Sequence, residues 1–528
     1  METSVASYQN ISFKISAKYL LLLTILVSGV LAVVRFNDIP VGSFWDDAHY
    51  IILAESLADG TGYRLINLPG APVEEAFPPG YPLLLAPLVT LFPENFLPLK
   101  LLSLAFWLAS LPLLYRLFWH RLPPRQTMAL VALVALNPFL VGMATTIMSE
   151  APFLFCSLLA LNLLAAWEEG GQRPLWQQGF LLGALLASLL FTVLLRTIGI
   201  TLVGGIVLYM LLKYGRGYIK YLAVLFIAGS LLLVPLAWFN AGNGGALFFS
   251  PLYFSHVQYV SQQFFEFVFD WQKSVQIAPR VVASALIPVL NLTRFEDILG
   301  SGLTQGFVWA TLLTAVAGFF LALRRFRASD LYVMLYAGLL YFWIVYTAEL
   351  RIRLLLPILP FLYLYLLLAL RVIIKRLVGS QSYQSMILLT TILLLLVPSA
   401  VRNAHEWQEP LSGRLVDLSL GTTWLKENST IDADIMTPNP LPDYLYMHRQ
   451  TVAYPSSVSE MHEAITMNGI DYVLVRQSLQ SSFAGEEFDP FTETLLAFLQ
   501  SQPQLFTPVY QNYLEEVYVY QVTESLKE

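Results

Sequence analysis

Eleven apolar stretches constrain this chain before anything else does. They lie near residues 18–36, 96–119, 126–143, 150–167, 176–195, 198–213, 220–239, 303–323, 331–348, 354–374 and 384–401. A helix needs about 20 apolar residues to cross the hydrocarbon core of a bilayer. Inside that core every backbone polar group has to be paired within the protein. The sequence therefore reads as a polytopic α-helical membrane protein with about 11 transmembrane helices. Composition agrees, with 56% hydrophobic and only 12% charged residues, against roughly 25% charge in soluble domains. The first stretch is not a cleaved signal peptide on this reading: it is too long, lacks a small-x-small cleavage site and is followed by more spans.

Charge placement orients the spans. With the N-terminus inside, the inner segments hold Lys14, Lys18, Arg116, Arg121, Arg125, Arg173, Lys213, Arg216, Lys220, Arg324, Arg325, Arg327, Arg371, Lys375 and Arg376, mostly on short loops. The outer side holds Arg35, Arg64, Lys100, Arg196, Lys273, Arg280, Arg294, Arg351 and Arg353, on or beside longer stretches. This is the inside-positive pattern. It predicts a plasma (inner) membrane protein with a cytoplasmic N-terminus and, after an odd number of spans, an extracytoplasmic C-terminus. The net charge of −6 hides a division. Residues 1–401 carry 24 Lys+Arg against 18 Asp+Glu, and residues 402–528 carry 6 against 18. No basic patch for nucleic acid is present. Cys156 is the one cysteine, so no disulfide forms within the chain.

Two domains are expected: a transmembrane part, 1–401, with long outer loops at 37–95 and 240–302, and an acidic extracytoplasmic α/β part, 402–528. In the second part, strands are expected near Ile435–Thr437, Asp471–Arg476 and Glu515–Val522, with a helix over Ser459–Asn468.

The first outer loop is the most informative segment. Asp46 and Asp47 open it, and Tyr50, Ala54 and Leu57 follow at helical spacing. Asp46 is placed to cap that helix, and Asp59-Gly60 ends it. Glu74, Glu75 and the turn Pro78-Pro79-Gly80-Tyr81-Pro82 follow, then an apolar helix over Tyr81–Phe92 too short to span. Carboxylate pairs beside a membrane surface are costly unless solvated, paired or used. Two readings stay open on the residues alone: a cap with solvated loop charges, or a general base with a second carboxylate that orients the acceptor or a metal.

This loop resembles the first extracytoplasmic loop of the GT-C superfamily of membrane glycosyltransferases. The likeness is to the branch of protein O-mannosyltransferases and lipid A aminoarabinose transferases. It rests on Asp46-Asp47-Ala48-His49-Tyr50, on Leu57-Ala58-Asp59-Gly60, and on Glu75 six residues before Tyr81 of Gly80-Tyr81. The resemblance implies that Asp46 is the catalytic carboxylate, with Asp47 beside it and Glu75 as its partner near the acceptor or a divalent ion. His49, Tyr50 and Tyr81 would contact substrate. Three positions depart from the branch pattern. Ala76 stands where a phosphate-contacting Lys is found, His49 where Arg is found, and Asp47 where Glu is commoner. The donor sugar is therefore not carried over.

Further polar residues sit at membrane depth. Ser149-Glu150 opens the fourth span, with Ser149 as a helix cap or Glu150 as a cavity residue. Arg196 lies at a tight turn between spans, where it either snorkels or holds a phosphate. Arg351 and Arg353 precede Pro357 and Pro360, similar to an Arg-x-x-x-x-Pro-x-x-Pro stretch of the superfamily. Arginine suits a polyprenyl phosphate, whose chain stays in lipid and whose head lies at the boundary. His256 is a weaker metal candidate, and the sequons at Asn10, Asn291 and Asn428 are short chance patterns.

The expected function is transfer of a sugar from a polyprenyl-phosphate donor to an acceptor lipid, glycan or protein at the outer face, with inversion. Two other classes compete: a transporter or flippase for lipid-linked sugars, and a non-catalytic scaffold for envelope assembly. The long carboxylate-bearing first loop and the outer tail favour the enzyme, and the two halves lack the matched broken helices of transporters.

Overall fold

The computed structural model describes residues 2–36, 39–74, 77–170, 174–215, 271–288, 296, 298, 300–344, 351–408, 418–476 and 490–523. Helices dominate up to Gln408, and a five-stranded sheet follows. Seven described helices are long and apolar enough to cross a membrane, or eight if one bent pair counts as a span. These helices make the chain an integral membrane protein. Leu22 and Leu26 on helix α1 (Glu2–Val34), Phe180, and Phe320 all remain exposed. Only hydrocarbon covers so much apolar surface at no cost. The expected span at 220–239 and most of the expected loop at 240–302 lie outside the described residues.

Two spans differ from the hydropathy reading for a local reason. The stretch 126–143 is two helices, Pro124–Ala135 and Pro138–Ala144, bent by 60°. Asn137 makes the break: its Oδ1 accepts from the amides of Phe139 and Leu140, and its Nδ2 donates to the Ala285 carbonyl and the Tyr363 hydroxyl. Pro138 has no N–H to continue the first helix and suits the first turn of the second. The stretch 354–374 likewise divides at Pro357 into a short helix, Arg351–Leu355, and the helix Leu359–Leu377. The last span, Gln381–Gln408, runs past the expected boundary at residue 401.

The first loop forms helices α2 (Asp46–Ala58) and α3 (Gly80–Leu91). They pack on each other, and α3 also on α4 (Leu97–Trp119) and α8 (Leu175–Leu195); the bundle further holds α5 (Pro124–Ala135), α6 (Pro138–Ala144), α7 (Glu150–Glu169) and α9 (Ile200–Tyr214). One apolar core runs from the bundle through Ile51 and Ile52 of α2 to Tyr81 and Leu85 of α3. Close packing needs a glycine where helix Ser301–Leu323 meets Leu359–Leu377: a Cβ on Gly318 would collide with the Tyr365 carbonyl.

The C-terminal strands are β1 (Asp434–Thr437), β2 (Gln450–Ala453), β3 (Tyr472–Val475), β4 (Phe506–Asn512) and β5 (Val517–Val522), in the order β2-β1-β3-β5-β4. The first three are mutually parallel, while β5 runs antiparallel to β3 and β4. Alternate side chains face opposite ways along a strand, so Met436, Val473 and Val475 enter one core and Ile435 and Leu474 the other. β2 and β4 were not among the expected strands.

This sheet region docks on the first loop. Thr451 N–H donates to the Asn67 carbonyl at 2.7 Å, and the Tyr446 hydroxyl to the Val41 carbonyl at 2.8 Å. Gly42, at φ 99°, lies so close that a Cβ there would come within 2.7 Å of the Pro442 Cβ.

Candidate functional site

Helix α2 begins abruptly. Trp45 occupies the cap position at φ 60° and caps with no side chain. Asp46 is thus not the cap that its spacing suggests but the first residue of the helix. A carboxylate there is favoured by the positive end of the helix. Glu150 holds the same position in α7, and Ser149 before it caps nothing with its hydroxyl.

Asp47 turns away from its neighbour. Its Oδ2 accepts from Gly42 N–H at 2.7 Å and its Oδ1 from Ala48 N–H at 3.0 Å, which locks the turn that aims α2. It is buried, and burial pushes its carboxyl up to about 6 despite those bonds.

Asp46 turns instead to the bundle. Its Oδ2 accepts from Arg353 Nη2 at 2.6 Å. Arg353 Nε donates to Glu150 Oε1, which also accepts from Arg196 Nη1 at 2.7 Å. Arg196 Nη1 reaches Ser149 Oγ at 3.1 Å, and Ser149 Oγ shares a hydrogen bond with the Tyr50 hydroxyl at 3.1 Å. Residues 307 apart in sequence so join one chain of contacts: Asp46–Arg353–Glu150–Arg196–Ser149–Tyr50. The Arg353 and Glu150 side chains are only 8% and 3% exposed, whereas Asp46 is 31% exposed and open to an incoming group. Arg353 also lies over the Phe44 ring, 6.0 Å from its centroid.

Backbone geometry places Arg196. It ends α8 in extended conformation, and a short 3-10 turn, Thr197–Gly199, follows. Gly199 permits that turn: a Cβ there would lie 2.7 Å from the Thr192 carbonyl oxygen. Gly80 lets α3 press on the same corner, where a Cβ would lie 2.6 Å from the Leu194 carbonyl.

The Glu150 Oε2 atom is buried and has no hydrogen-bond partner among the described residues. Beside it is a cavity of about 10 Å³ bounded by Trp107, Leu140, Met143 and Leu356. That volume is the lower bound for one water. Arg353 Nη1 and Arg196 Nη2 make no hydrogen bond among the described residues, so each guanidinium keeps a donor for a bound anion.

A second layer lies along α2. His49 Nε2 is 2.6 Å from Glu74 Oε2, and Glu74 Oε1 accepts from Phe77 N–H at 3.0 Å. The His49 ring stacks on Phe77 at 4.1 Å, and Tyr50 meets Phe77 and Tyr81 edge-on. The Tyr81 hydroxyl shares a hydrogen bond with Ser103 Oγ at 3.0 Å. Of the expected site residues, Asp46, Glu150, Arg196 and Arg353 are brought together, with Tyr50 attached through Ser149. His49 stacks on Phe77, Tyr81 meets the Tyr50 ring, and Asp47 points elsewhere. Glu75, His256 and the Arg351 side chain lie outside the described residues. The sequence reading did not give Ser149 a link to Tyr50 or pair Glu74 with His49; the carboxylate pair at Glu74 was the available signal.

Among the described residues no three His, Cys, Asp or Glu side chains group as metal ligands. Asp46 and Glu150 already face the arginines, and Glu74 bonds to the His49 ring. The expected metal ligands Glu75 and His256 lie outside the described residues.

Solved structures share this fold. ArnT from Cupriavidus metallidurans in the apo state superimposes with a TM-score of 0.56 at 13% identity, covering 97% of this chain and 99% of that one. ArnT bound to undecaprenyl phosphate gives 0.55 at 14% identity, covering 96% and 98%. The Archaeoglobus fulgidus oligosaccharyltransferase tethered with an acceptor peptide gives 0.60 at 13% identity, covering 96% of this chain and 74% of that one. A complex of that transferase with Zn and sulfate has also been solved. No protein-family model and no curated protein matches the chain. The fold is that of the GT-C membrane glycosyltransferases.

Proposed function

We propose that this chain moves a sugar from a polyprenyl-phosphate donor to an acceptor hydroxyl at the outer face of the membrane. The observation that carries the reading is the meeting of Asp46, Glu150, Arg196 and Arg353 at one end of a GT-C bundle. The binding of undecaprenyl phosphate by ArnT supports a lipid-linked donor.

Each group has a role that follows from its setting. Arg353 and Arg196 bind the donor phosphate with their spare N–H groups and stabilise its charge as it leaves. Glu150 is the buried counter-charge that fixes both guanidinium planes. Asp46 takes the proton of the acceptor hydroxyl while that oxygen attacks the anomeric carbon. The bond from that carbon to the phosphate oxygen breaks with inversion, and polyprenyl phosphate leaves with the electron pair. One displacement needs one base and a good leaving group, not a close pair of carboxylates. The donor phosphate also competes with Asp46 for Arg353, so donor binding frees the base. The metal role expected of Glu75 and His256 lies outside the described residues.

The same reading sets residues 1–401, with the last span running on to Gln408, as the catalytic membrane part, and the sheet region that follows within 402–528 as the part that covers the first loop from outside. The bonds to Val41 and Asn67 support this. The inside-positive loops support a plasma (inner) membrane location with a cytoplasmic N-terminus. Purified protein in detergent should consume a prenyl-phosphate sugar when acceptor is present. A flippase or a scaffold would move or hold that lipid without consuming it, and such a result would overturn the reading.

A further inference from the structure

Helix α7, 20 residues long, carries Glu150 of the candidate site at one end and Glu169 at the other. At 1.5 Å rise per residue the two ends are about 30 Å apart. At the far end lies a cavity of about 500 Å³, within the size range of small-molecule sites, roughly 300–1,000 Å³. Leu117, Leu161, Leu164 and Phe326 form its apolar wall, and Lys213, Arg324, Arg325 and Arg327 bring positive charge to it.

The cations and anions around this cavity do not cancel. Glu168 is used by Lys213 at 2.8 Å and by the hydroxyls of Tyr209 and Tyr214. Glu169 faces His120 at 3.9 Å. Asp330, next to the cavity, is taken by Arg121 through both of its oxygens and by the Tyr365 hydroxyl. It meets only the backbone N–H of Arg327. Among the described residues Arg324, Arg325 and Arg327 form no ion pair. Burial and the Arg121 charge work against the Arg327 guanidinium more than Tyr209, Asp330 and Glu168 favour it. The helix Ala328–Ile344 starts at the cavity wall and adds the positive end of its dipole.

We infer that this cavity binds a phosphate-bearing anionic group, with Arg324, Arg325 and Arg327 as its ligands and Lys213 at its side. Three unpaired guanidiniums beside a walled space suit a phosphate, which takes bidentate N–H donors. The apolar wall suits the first carbons of a lipid glycerol or of a phosphate ester. Surface cations that only orient a loop need no such cavity. The site is separate from Asp46 and independent of the role given to it.

The test uses full-length protein in detergent, delipidated and then titrated with phosphatidylglycerol or phosphatidylcholine, with retention read by native mass spectrometry. Wild type should retain phosphatidylglycerol over phosphatidylcholine. The combined change Arg324→Gln, Arg325→Gln and Arg327→Gln should weaken that retention by on the order of tenfold or more, since charged hydrogen bonds are lost. Arg376→Gln, an exposed arginine outside the cavity lining, should leave it intact. Where the triple variant melts early, Arg327→Gln and Arg327→Lys serve instead, and Lys should recover part of the binding. Displacement of the lipid by millimolar inorganic phosphate assigns the site to soluble phosphate esters, and retention assigns it to lipid. Equal retention of the two lipids, or retention unaffected by loss of the arginines in folded protein, overturns the inference.

Discussion

Glu150→Gln isolates the part of the site that the structure makes most demanding. The side chain is 3% exposed, and its Oε1 alone receives Arg196 Nη1 and Arg353 Nε. Glutamine keeps the shape and removes the charge. Two charge-assisted hydrogen bonds become bonds to a neutral oxygen, each about half as strong. Two buried guanidiniums also lose their shared counter-charge. Breaking a buried ion pair by removing one partner costs about 3–5 kcal/mol, and Asp46 still faces Arg353, so the lower end is expected. The assay is a thermal melt in detergent over a double-mutant cycle of Glu150→Gln and Arg353→Gln. The combined loss should fall short of the sum of the single losses by about 1 kcal/mol or more, as for residues in one network. Strictly additive losses, or an unchanged melt for Glu150→Gln, would refute the idea that Glu150 organises the arginines.

Asp47 gives a pH prediction. Its folded carboxyl stands at about 6 against an ordinary 3.8, so the folded state holds a proton more tightly than the unfolded chain. The stability it contributes is present below about 3.8 and is lost as pH rises through about 6, a change of about 3 kcal/mol. Melts of Asp47→Asn should lack that share of the pH dependence, and an identical slope for both proteins would count against it. Gly80→Ala should cut activity while α3 still folds, because its Cβ meets the Leu194 backbone two residues before Arg196; unchanged turnover would show that this corner does not set Arg196. Gly318→Ala should lower melting, by about 1–3 kcal/mol or more for an overpacked contact, with no specific effect on turnover per folded molecule.

Much of the fold was legible because hydropathy is a long-range signal. The breaks were not, because one side chain decides each. Asn137 draws four hydrogen bonds and so turns an apolar run by 60°. β2 is only four residues, Gln450–Ala453, and β4 carries Pro508, so neither shows clean alternation. In the site, Asp46, Glu150, Arg196 and Arg353 were each visible as polar groups at membrane depth. Their meeting was not, since nothing in the spacing says that residue 353 returns to residue 46. Asp47 shows the reverse limit. It stands beside Asp46 in sequence, yet one step of about 100° around a helix sends it to the backbone of Gly42.

The central claim is that Asp46 is the base. Asp46→Asn keeps the size of the side chain and an oxygen for Arg353, so membrane insertion and melting should stay near wild type. The direct measurement is sugar transfer from a prenyl-phosphate donor by the purified variant and wild type, side by side. The account predicts a fall of about 10²–10⁴-fold, the usual contribution of a positioned general base. Transfer by Asp46→Asn at the wild-type rate would contradict it.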